Sequence, residues 1–90
     1  MPKCSAKVTI VNRLGLHARP AMTFVDLATT FKSEVKVGKP DCEVDGKSIM
    51  QMMMLAAGQG TELEITADGD DAEAAIKALK ALVAAGFDEE

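Results

Sequence analysis

The only histidine of the chain, His17, lies in the segment LGLHARPAM, where Arg19 and Pro20 follow it closely. Proline is tolerated in a helix only in the first turn, where its missing N–H costs no hydrogen bond. Pro20 therefore predicts that a helix begins at residue 18 or 19, with His17 at the N-cap or one residue from it. An imidazole in this position is placed to carry an anion.

The chemistry that this arrangement favours is the transfer of a phosphoryl group. The first backbone N–H groups of a helix have no partner within it, and the peptide dipoles place about half a positive charge at that end. This positive end favours a neutral imidazole, which keeps a lone pair for attack, and it attracts phosphoryl oxygens. The backbone at Ala18 and Arg19 would supply the N–H donors, and the guanidinium of Arg19 would bind the same oxygens.

Two other interpretations of His17 are open on the residues alone. The first is a capping or surface histidine without a chemical role. The second is a metal site in which His17 joins Cys4 and Cys42, but these residues lack the ligand spacing that metal sites show. We therefore expect no metal, and we expect the two cysteines to be reduced thiols.

Strands and helices of ordinary length are predicted around this segment. Alternating apolar residues indicate strands, and apolar residues spaced three and four apart indicate helices. The predicted order is β-α-β-β-α-β-α, with strands at 5–12, 33–37, 41–44 and 61–67, and helices at 18 to about 30, 48 to about 55 and 71–85. Ninety residues leave no room for a second core. We expect one domain, residues 1–90, with helices covering one face of a four-stranded sheet.

The composition excludes several classes of protein. The net charge is −4 and aromatic residues make up 3% of the chain, whereas nucleic-acid binding favours a basic face and aromatic stacking. No stretch is apolar for long enough to span a membrane, and the first residues lack the apolar core of a signal peptide. We therefore expect a cytoplasmic protein with no nucleic-acid or membrane partner.

The second predicted helix carries a capping motif and an unusual number of methionines. Ser48 and Gln51 form a Ser-x-x-Gln capping box, in which the Ser48 hydroxyl should accept from the Gln51 N–H and Gln51 should return a hydrogen bond. Most of the methionines lie in this helix: Met50, Met52, Met53 and Met54. About two of them should enter the core, and the others, with Met22, should form a flexible apolar patch beside His17 that adapts to several partners.

Several separated stretches make the chain similar to a known family. LGLHARPAM at 14–22, DGKSIM at 45–50 and LAAGQGTELEI at 55–65 resemble the histidine-containing phosphocarrier proteins, HPr, of the bacterial phosphoenolpyruvate-dependent phosphotransferase system. The resemblance covers nearly the whole chain. It implies an α+β fold, an HPr-like open-faced β-sandwich in which three helices cover one face of a four-stranded antiparallel sheet.

The resemblance also implies a function and a set of site residues. Nδ1 of His17 would accept a phosphoryl group from phosphorylated enzyme I and pass it to a histidine of a IIA protein, while Arg19 stabilises the group. Such a carrier needs no cofactor, does not turn over a small substrate as an enzyme does, and is expected to be a monomer because it alternates between partners. The surface that docks both partners would include Met22, Ile49, Met50 and Met53.

The resemblance leaves the branch of the family and the role of one serine open. DGKSIM is similar to the sugar-transport carriers, whereas MMML at 52–55 and GFDEE at 86–90 are more similar to a nitrogen-related regulatory branch. In some branches a dedicated kinase/phosphorylase acts on the serine that matches Ser48, and a phosphate there would oppose an acidic partner. The alternative function is a non-carrying regulatory domain that binds a partner through the methionine-rich face and Ser48, although members of that kind lack the histidine. A scaffold domain in which His17 has no role is a third hypothesis.

Overall fold

The computed structural model describes residues 3–88, and its elements follow the predicted order. They are β1 (Lys3–Thr9), α1 (Ala18–Ala28), β2 (Glu34–Lys39), β3 (Cys42–Asp45), α2 (Ile49–Met54), β4 (Glu62–Asp68) and α3 (Ala72–Ala84). A 3-10 turn, Gly86–Asp88, follows α3. The strands form one sheet in the order β1-β4-β2-β3, and all neighbours are antiparallel. The expectation of an open four-stranded antiparallel sheet with three helices is confirmed.

The middle of the sheet pairs segments that are far apart in the sequence. β4 lies between β1 and β2, so Ile65 has Ala6 as its neighbour on one side and Val37 on the other. These three side chains point towards the helices, because alternate residues of a strand point to opposite faces. The core lies between this face and the helices, and its largest buried side chains include Phe24, Ile10, Met52, Leu55, Ile65 and Leu79.

The opposite face of the sheet is exposed and carries charged side chains. Lys3 pairs with Asp68 and Lys7 pairs with Glu64, which are two pairs of opposite charge, whereas Asp68 and Glu34 form a pair of like charge. Opposite charges that face each other across neighbouring strands stabilise the pairing by about 0.2–1 kcal/mol each. This polar face explains why the strands alternate so regularly in the sequence.

The first strand begins and ends earlier than predicted, at residues 3–9 rather than 5–12. Ile10 still makes two backbone hydrogen bonds: its N–H donates to the Thr61 carbonyl at 2.9 Å, and its carbonyl accepts from the Gly60 N–H at 2.7 Å. After Ile10 the chain turns away from the sheet towards α1. The alternating apolar residues Ala6, Val8 and Ile10 end at this point in the sequence, and the predicted strand extends two residues beyond them.

The first helix ends at Ala28, about two residues before the predicted end. The hydroxyls of Thr29 and Thr30 each donate to the backbone carbonyl three residues earlier, at 2.9 and 2.7 Å. Such local hydrogen bonds compete with the helical ones and favour the end of a helix. Nζ of Lys47 also donates to the Phe31 carbonyl at 2.8 Å, so a cation from the segment before α2 lies just beyond the negative end of α1.

Asp71 is the N-cap residue of α3, but its carboxylate does not cap the helix. It accepts instead from the Lys32 N–H at 2.8 Å, from the Ser33 N–H at 2.9 Å and from the Ser33 hydroxyl. The hydrogen bond from the Ser33 hydroxyl is the main cause that lowers the pKa of Asp71 below its ordinary value. Asp71 therefore joins the start of α3 to the segment that leads into β2.

The turn after α3 returns the chain to the core. Gly86 follows the end of the helix with φ of +65°, a conformation that favours glycine. Phe87 also has a positive φ, +58°, yet its side chain is only 4% exposed. A Cβ added to Gly86 would lie 3.6 Å from the Cβ of Asn12 and 3.8 Å from Val11. The turn thus packs against the loop between β1 and α1.

Candidate functional site

A tight loop, residues 10–17, carries the chain from β1 to the start of α1. Gly15 has φ of +71°, and a Cβ there would clash with the carbonyl oxygen of Ala57, so the position requires glycine. The Leu16 N–H donates to the same Ala57 carbonyl at 2.8 Å. The buried Asn12 donates through Nδ2 to the Gly15 carbonyl at 2.7 Å. These contacts hold the segment that leads to His17 against the residues that follow α2.

His17 is the N-cap residue of α1, in agreement with the helix start that Pro20 predicts. Its backbone is extended, with φ of −88° and ψ of −168°, and its side chain makes no capping hydrogen bond. The first bond of the helix runs from the Ala21 N–H to the His17 carbonyl at 3.0 Å. The N–H groups of Ala18 and Arg19 precede that bond, so two backbone donors lie at the positive end of α1, next to His17 in the chain.

The side chains at this end of α1 are accessible to solvent to different degrees. His17 is half-buried, whereas Ala18 and Arg19 are exposed. Arg19 and Met22 are three positions apart and therefore share the exposed side of the helix. The side that faces the core consists of Pro20, Ala21, Phe24, Val25 and Ala28. An anion at the N-terminus of α1 would lie within reach of one guanidinium and remain open to solvent.

The predicted capping box of α2 is confirmed in one of its two hydrogen bonds. Ser48 is the N-cap, and its hydroxyl accepts from the Gln51 N–H at 3.2 Å. The predicted return bond from Gln51 to Ser48 is wrong, because Gln51 Oε1 accepts from the Asp45 N–H at 2.9 Å. The Ser48 N–H donates instead to the Asp45 carbonyl at 3.1 Å. Asp45, in the turn from β3 into α2, is thus the partner of both Gln51 Oε1 and the Ser48 N–H.

The two ends of α2 differ: Ser48 is at its N-terminus, and the loop before α1 is bound just after its C-terminus. Ser48 is half-buried at the N-terminus of the helix, whereas Ala57, which binds Leu16, follows its C-terminus. A helix of six residues is about 9 Å long. The methionines lie between these two points. Along the chain they are therefore nearer than Ser48 to Ala57, where the loop 10–17 is bound.

The methionines of α2 divide differently from the prediction. Met52 is 1% exposed and lies in the core, whereas Met50, Met53 and Met54 are 78%, 45% and 73% exposed. One methionine is buried rather than about two, because so short a helix presents only a narrow side to the core. We use the name methionine surface for the exposed apolar residues of α1 and α2, two helices that pack against each other: Met22, Ile49, Met50, Met53 and Met54.

The sequence prediction missed part of the exposed apolar surface. Met54 was not among the predicted docking residues, although it is one of the most exposed side chains of α2. Leu14 and Val11 are 72% and 48% exposed in the loop that leads to His17. Val11 falls within the predicted strand 5–12 but lies beyond the end of β1. Leu14 lies in the loop, where no periodic pattern marks it, and its only signal in the sequence is that it stands beside Gly15.

The alternative of a metal site at His17 receives no support from the fold. Cys4 lies on β1 and Cys42 on β3, the two outer strands of the sheet, and both thiols are unpaired. With about 4.8 Å between neighbouring strands, the two are about 14 Å apart across the sheet. Within residues 3–88 no three potential metal ligands come together.

In the same range no helix combines the length and the apolar character needed to cross a membrane.

Comparisons with known proteins match the chain over almost all of its length. The family model for the PTS HPr component phosphorylation site matches residues 4–85. The phosphocarrier protein HPr of Pseudomonas aeruginosa is 49% identical over 84 residues, which are 92% of this chain and 93% of that relative. The phosphocarrier protein NPr of Proteus mirabilis is 45% identical over 85 residues, 93% of this chain and 94% of that relative. The crystal structure of HPr-C-His from Thermoanaerobacter tengcongensis has a TM-score of 0.92 at 45% identity, covering 97% of this chain and 98% of that one.

Proposed function

This chain belongs to the HPr family of phosphocarrier proteins of the phosphotransferase system, and from that premise we propose that His17 carries the phosphoryl group. It accepts the group from phosphorylated enzyme I and delivers it to a histidine of a IIA protein. The observation that supports this role most directly is the position of the only histidine at the N-cap of α1, where the N–H groups of Ala18 and Arg19 follow it.

In the proposed step the Nδ1 lone pair of a neutral His17 attacks phosphorus. A nitrogen–phosphorus bond forms while the bond between phosphorus and enzyme I breaks, and enzyme I keeps the electron pair of that bond. The phosphoryl oxygens are negative throughout the transfer. They are stabilised by the N–H groups of Ala18 and Arg19 and by the guanidinium of Arg19. The same exchange in the next complex moves the group from His17 to the IIA histidine.

The exposure of the site supports a carrier, which must release what it binds. His17 is half-buried and Arg19 is exposed, so a phosphoryl group on His17 stays accessible to the second partner. Charge interactions at a solvated surface are weak because water screens them. A helix end and one arginine therefore stabilise the group less than an enclosed site with several charges would.

The methionine surface is the proposed docking surface for both partners. The loop 10–17 is bound to Ala57 just after α2, which keeps His17 close to this surface. Methionine side chains are flexible and polarisable, so one surface can fit two different partners. Because both partners use it in turn, we expect the protein to act as a monomer, and light scattering in solution tests this.

The branch of the family decides which partners are physiological. Relatives named HPr and NPr each match more than nine-tenths of this chain, so sugar uptake and nitrogen-related regulation are both candidate roles. Comparing kcat/KM for phosphoryl transfer from an enzyme I that works with an HPr and from one that works with an NPr would assign this chain to the branch of the more efficient donor.

Ser48 is the proposed site of regulation by a serine kinase. A phosphate on its hydroxyl would keep an oxygen able to accept from the Gln51 N–H and would add a charge of about −1.5 to −2 beside Ile49 of the methionine surface. That charge would oppose an acidic partner. The alternative of a regulatory domain that carries no phosphoryl group is disfavoured, because members of that kind lack the histidine present here.

Intact-mass measurement after incubation with phosphoenolpyruvate and enzyme I tests the carrier function. We expect a gain of one phosphate that mild acid removes, since a nitrogen–phosphorus bond is acid-labile, and no gain for His17→Ala. The variant should remain folded by circular dichroism, because His17 is at an N-cap position, where a substitution costs only about 1 kcal/mol. A phosphate that survives acid, or that His17→Ala still receives, would place the acceptor elsewhere.

A further inference from the structure

Thioether groups are concentrated on one part of the surface. Of the five methionines between residues 3 and 88, only Met52 is buried, and the exposed ones lie on α1 and α2. Met50, Met53 and Met54 are three and four positions apart and share one side of α2. Four oxidisable sulfur atoms therefore belong to the surface that the proposed function uses for docking.

We propose that the methionine surface is an oxidative modification site, at which hydrogen peroxide converts exposed methionines to sulfoxides and thereby weakens docking of the phosphoryl-transfer partners. The inference rests on the proposed function for its effect on transfer. The modification itself follows from the exposure of the thioethers. It adds a redox control that is separate from phosphorylation at Ser48.

The reaction at each methionine is a two-electron oxidation of sulfur. A sulfur lone pair attacks one oxygen of hydrogen peroxide, the oxygen–oxygen bond breaks, and a sulfur–oxygen bond forms. Sulfur is oxidised to the sulfoxide, and the second oxygen leaves as water after taking up the two peroxide protons. The product is polar and chiral where the thioether was apolar and flexible, and methionine sulfoxide reductases reverse the change.

Methionine oxidation should weaken docking of the partner more than it slows the phosphoryl-transfer step. An apolar surface gains free energy when a partner removes it from water, and a sulfoxide oxygen buried without a hydrogen-bond partner opposes that removal. Peroxide leaves the imidazole of His17, the Arg19 guanidinium and the backbone donors of α1 unchanged. Oxidation should therefore raise KM for phosphorylated enzyme I by about tenfold and leave kcat at saturating donor close to that of the untreated protein.

The exposures predict an order of modification. Met50 and Met54, at 78% and 73% exposed, should be oxidised first, and Met22 and Met53, at 49% and 45%, should follow. Met52, at 1% exposed, should stay reduced as long as the protein is folded. Peptide mapping by mass spectrometry along a peroxide time course measures this order, and Met52 serves as the internal control for unfolding.

Thiol oxidation must be separated from methionine oxidation. Cys42 is exposed and Cys4 is half-buried, so peroxide reaches at least one thiol. The experiment therefore uses a Cys42→Ser background, in which the substituted residue lies on β3, outside the proposed docking surface. Dithiothreitol added before the assay reverses reversible thiol oxidation but leaves sulfoxides in place.

The decisive comparison uses a matched variant with Met50→Leu and Met54→Leu, which keeps apolar side chains of similar volume but removes the two most exposed thioethers. Its KM before treatment is its own reference, and the ratio of KM after to before peroxide should be clearly smaller than in the parent protein. Methionine sulfoxide reductases should return the KM of the oxidised parent to its starting value.

The outcomes separate this inference from the proposed function. If the untreated protein accepts a phosphoryl group and the oxidised protein has the same KM, the inference is wrong and the carrier function stands. A rise in KM that reductases do not reverse, or that is equally large in the leucine variant, would also overturn it. If the untreated protein accepts no phosphoryl group, the proposed function fails, and the inference fails with it.

Discussion

Ser48 has one observed role and one proposed role, and substitutions can separate the two. Its hydroxyl accepts from the Gln51 N–H at 3.2 Å and so stabilises the first turn of α2, and the same hydroxyl is the proposed target of a kinase. Aspartate keeps an oxygen that can cap the helix and adds a negative charge, whereas alanine removes the cap and adds no charge. The pair of variants therefore distinguishes a structural effect from an electrostatic one.

Ser48→Asp should keep the thermal stability of the wild type and raise the KM for phosphorylated enzyme I several-fold, because its charge lies beside the methionine surface. Ser48→Ala should lower the free energy of unfolding by about 1 kcal/mol and change KM less than Ser48→Asp does. Thermal unfolding and steady-state transfer assays measure both quantities. Unchanged transfer kinetics in Ser48→Asp would remove the regulatory role.

Single residues differ in how far their local sequence determines their contacts. The N-cap position of His17 could be predicted because Pro20 is tolerated only in the first turn of the helix. The hydrogen bond of Gln51 could not, because its partner is the Asp45 N–H, whose position depends on how β3 turns into α2. Leu14 and Met54 were missed because exposure depends on which neighbours pack against a side chain.

At the scale of elements, the Asp71 carboxylate joins two connections that are remote in sequence. It binds the backbone at Lys32 and Ser33 before β2, and also the Ser33 hydroxyl. The pKa of Asp71 is lowered from its ordinary 3.8, with the Ser33 hydroxyl as the first cause and the Lys32 N–H as the second. The ionised carboxylate therefore stabilises the folded state above the unfolded pKa, and that contribution is lost as pH falls through the folded pKa.

Asp71→Asn should lower the melting temperature at neutral pH and flatten its dependence on pH in the acidic range, because asparagine does not ionise. Thermal unfolding between neutral pH and about pH 2 measures the effect. Asp70→Asn is the matched control, since Asp70 is an exposed neighbour and should leave the acidic slope as in the wild type. If the melting temperature of Asp71→Asn fell with pH in parallel with that of the wild type, the Asp71 carboxylate would not be the cause of the acidic dependence.

The order of the elements and the start of α1 could be predicted, but several other ends and the connections could not. Strands such as β4 alternate between a buried and an exposed face, and α3 places its apolar residues at helical spacing, so local pattern is sufficient for both. The end of β1 depends on hydrogen bonds between Ile10 and the segment before β4. The partners of Asp71 likewise come from another part of the chain, which local patterns do not encode.

For the molecule as a whole, the C-terminal turn supports the loop that carries His17. Gly86 lies against Val11 and Asn12, and Phe87 fills part of the core behind it. The positive φ of Phe87 is unfavourable for a residue with a large side chain. Burial of the aromatic ring offsets this strain.

Phe87→Ala should lower the free energy of unfolding by about 3–5 kcal/mol, the usual cost of removing a buried phenylalanine side chain. That loss is a large part of the free energy of unfolding of a typical domain, which is about 5–15 kcal/mol. Urea denaturation measures it, with Leu14→Ala as a control on an exposed side chain that should change stability by less than about 0.5 kcal/mol. Equal denaturation midpoints for the two variants would mean that the turn does not contribute to the core.

The place of β4 between β1 and β2 also sets the order in which a growing chain can fold on the ribosome. β2 and β3 are neighbours in sequence and can pair early, whereas β1 must wait for residues 62–68, with which it pairs. Until then its apolar residues are available to chaperones, since pairing between distant segments is slow. His17 is made early too, but Ala57 and Gly86, which contact its loop, are made long after it. β1 is thus made before the other strands and is among the last of them to reach its native position.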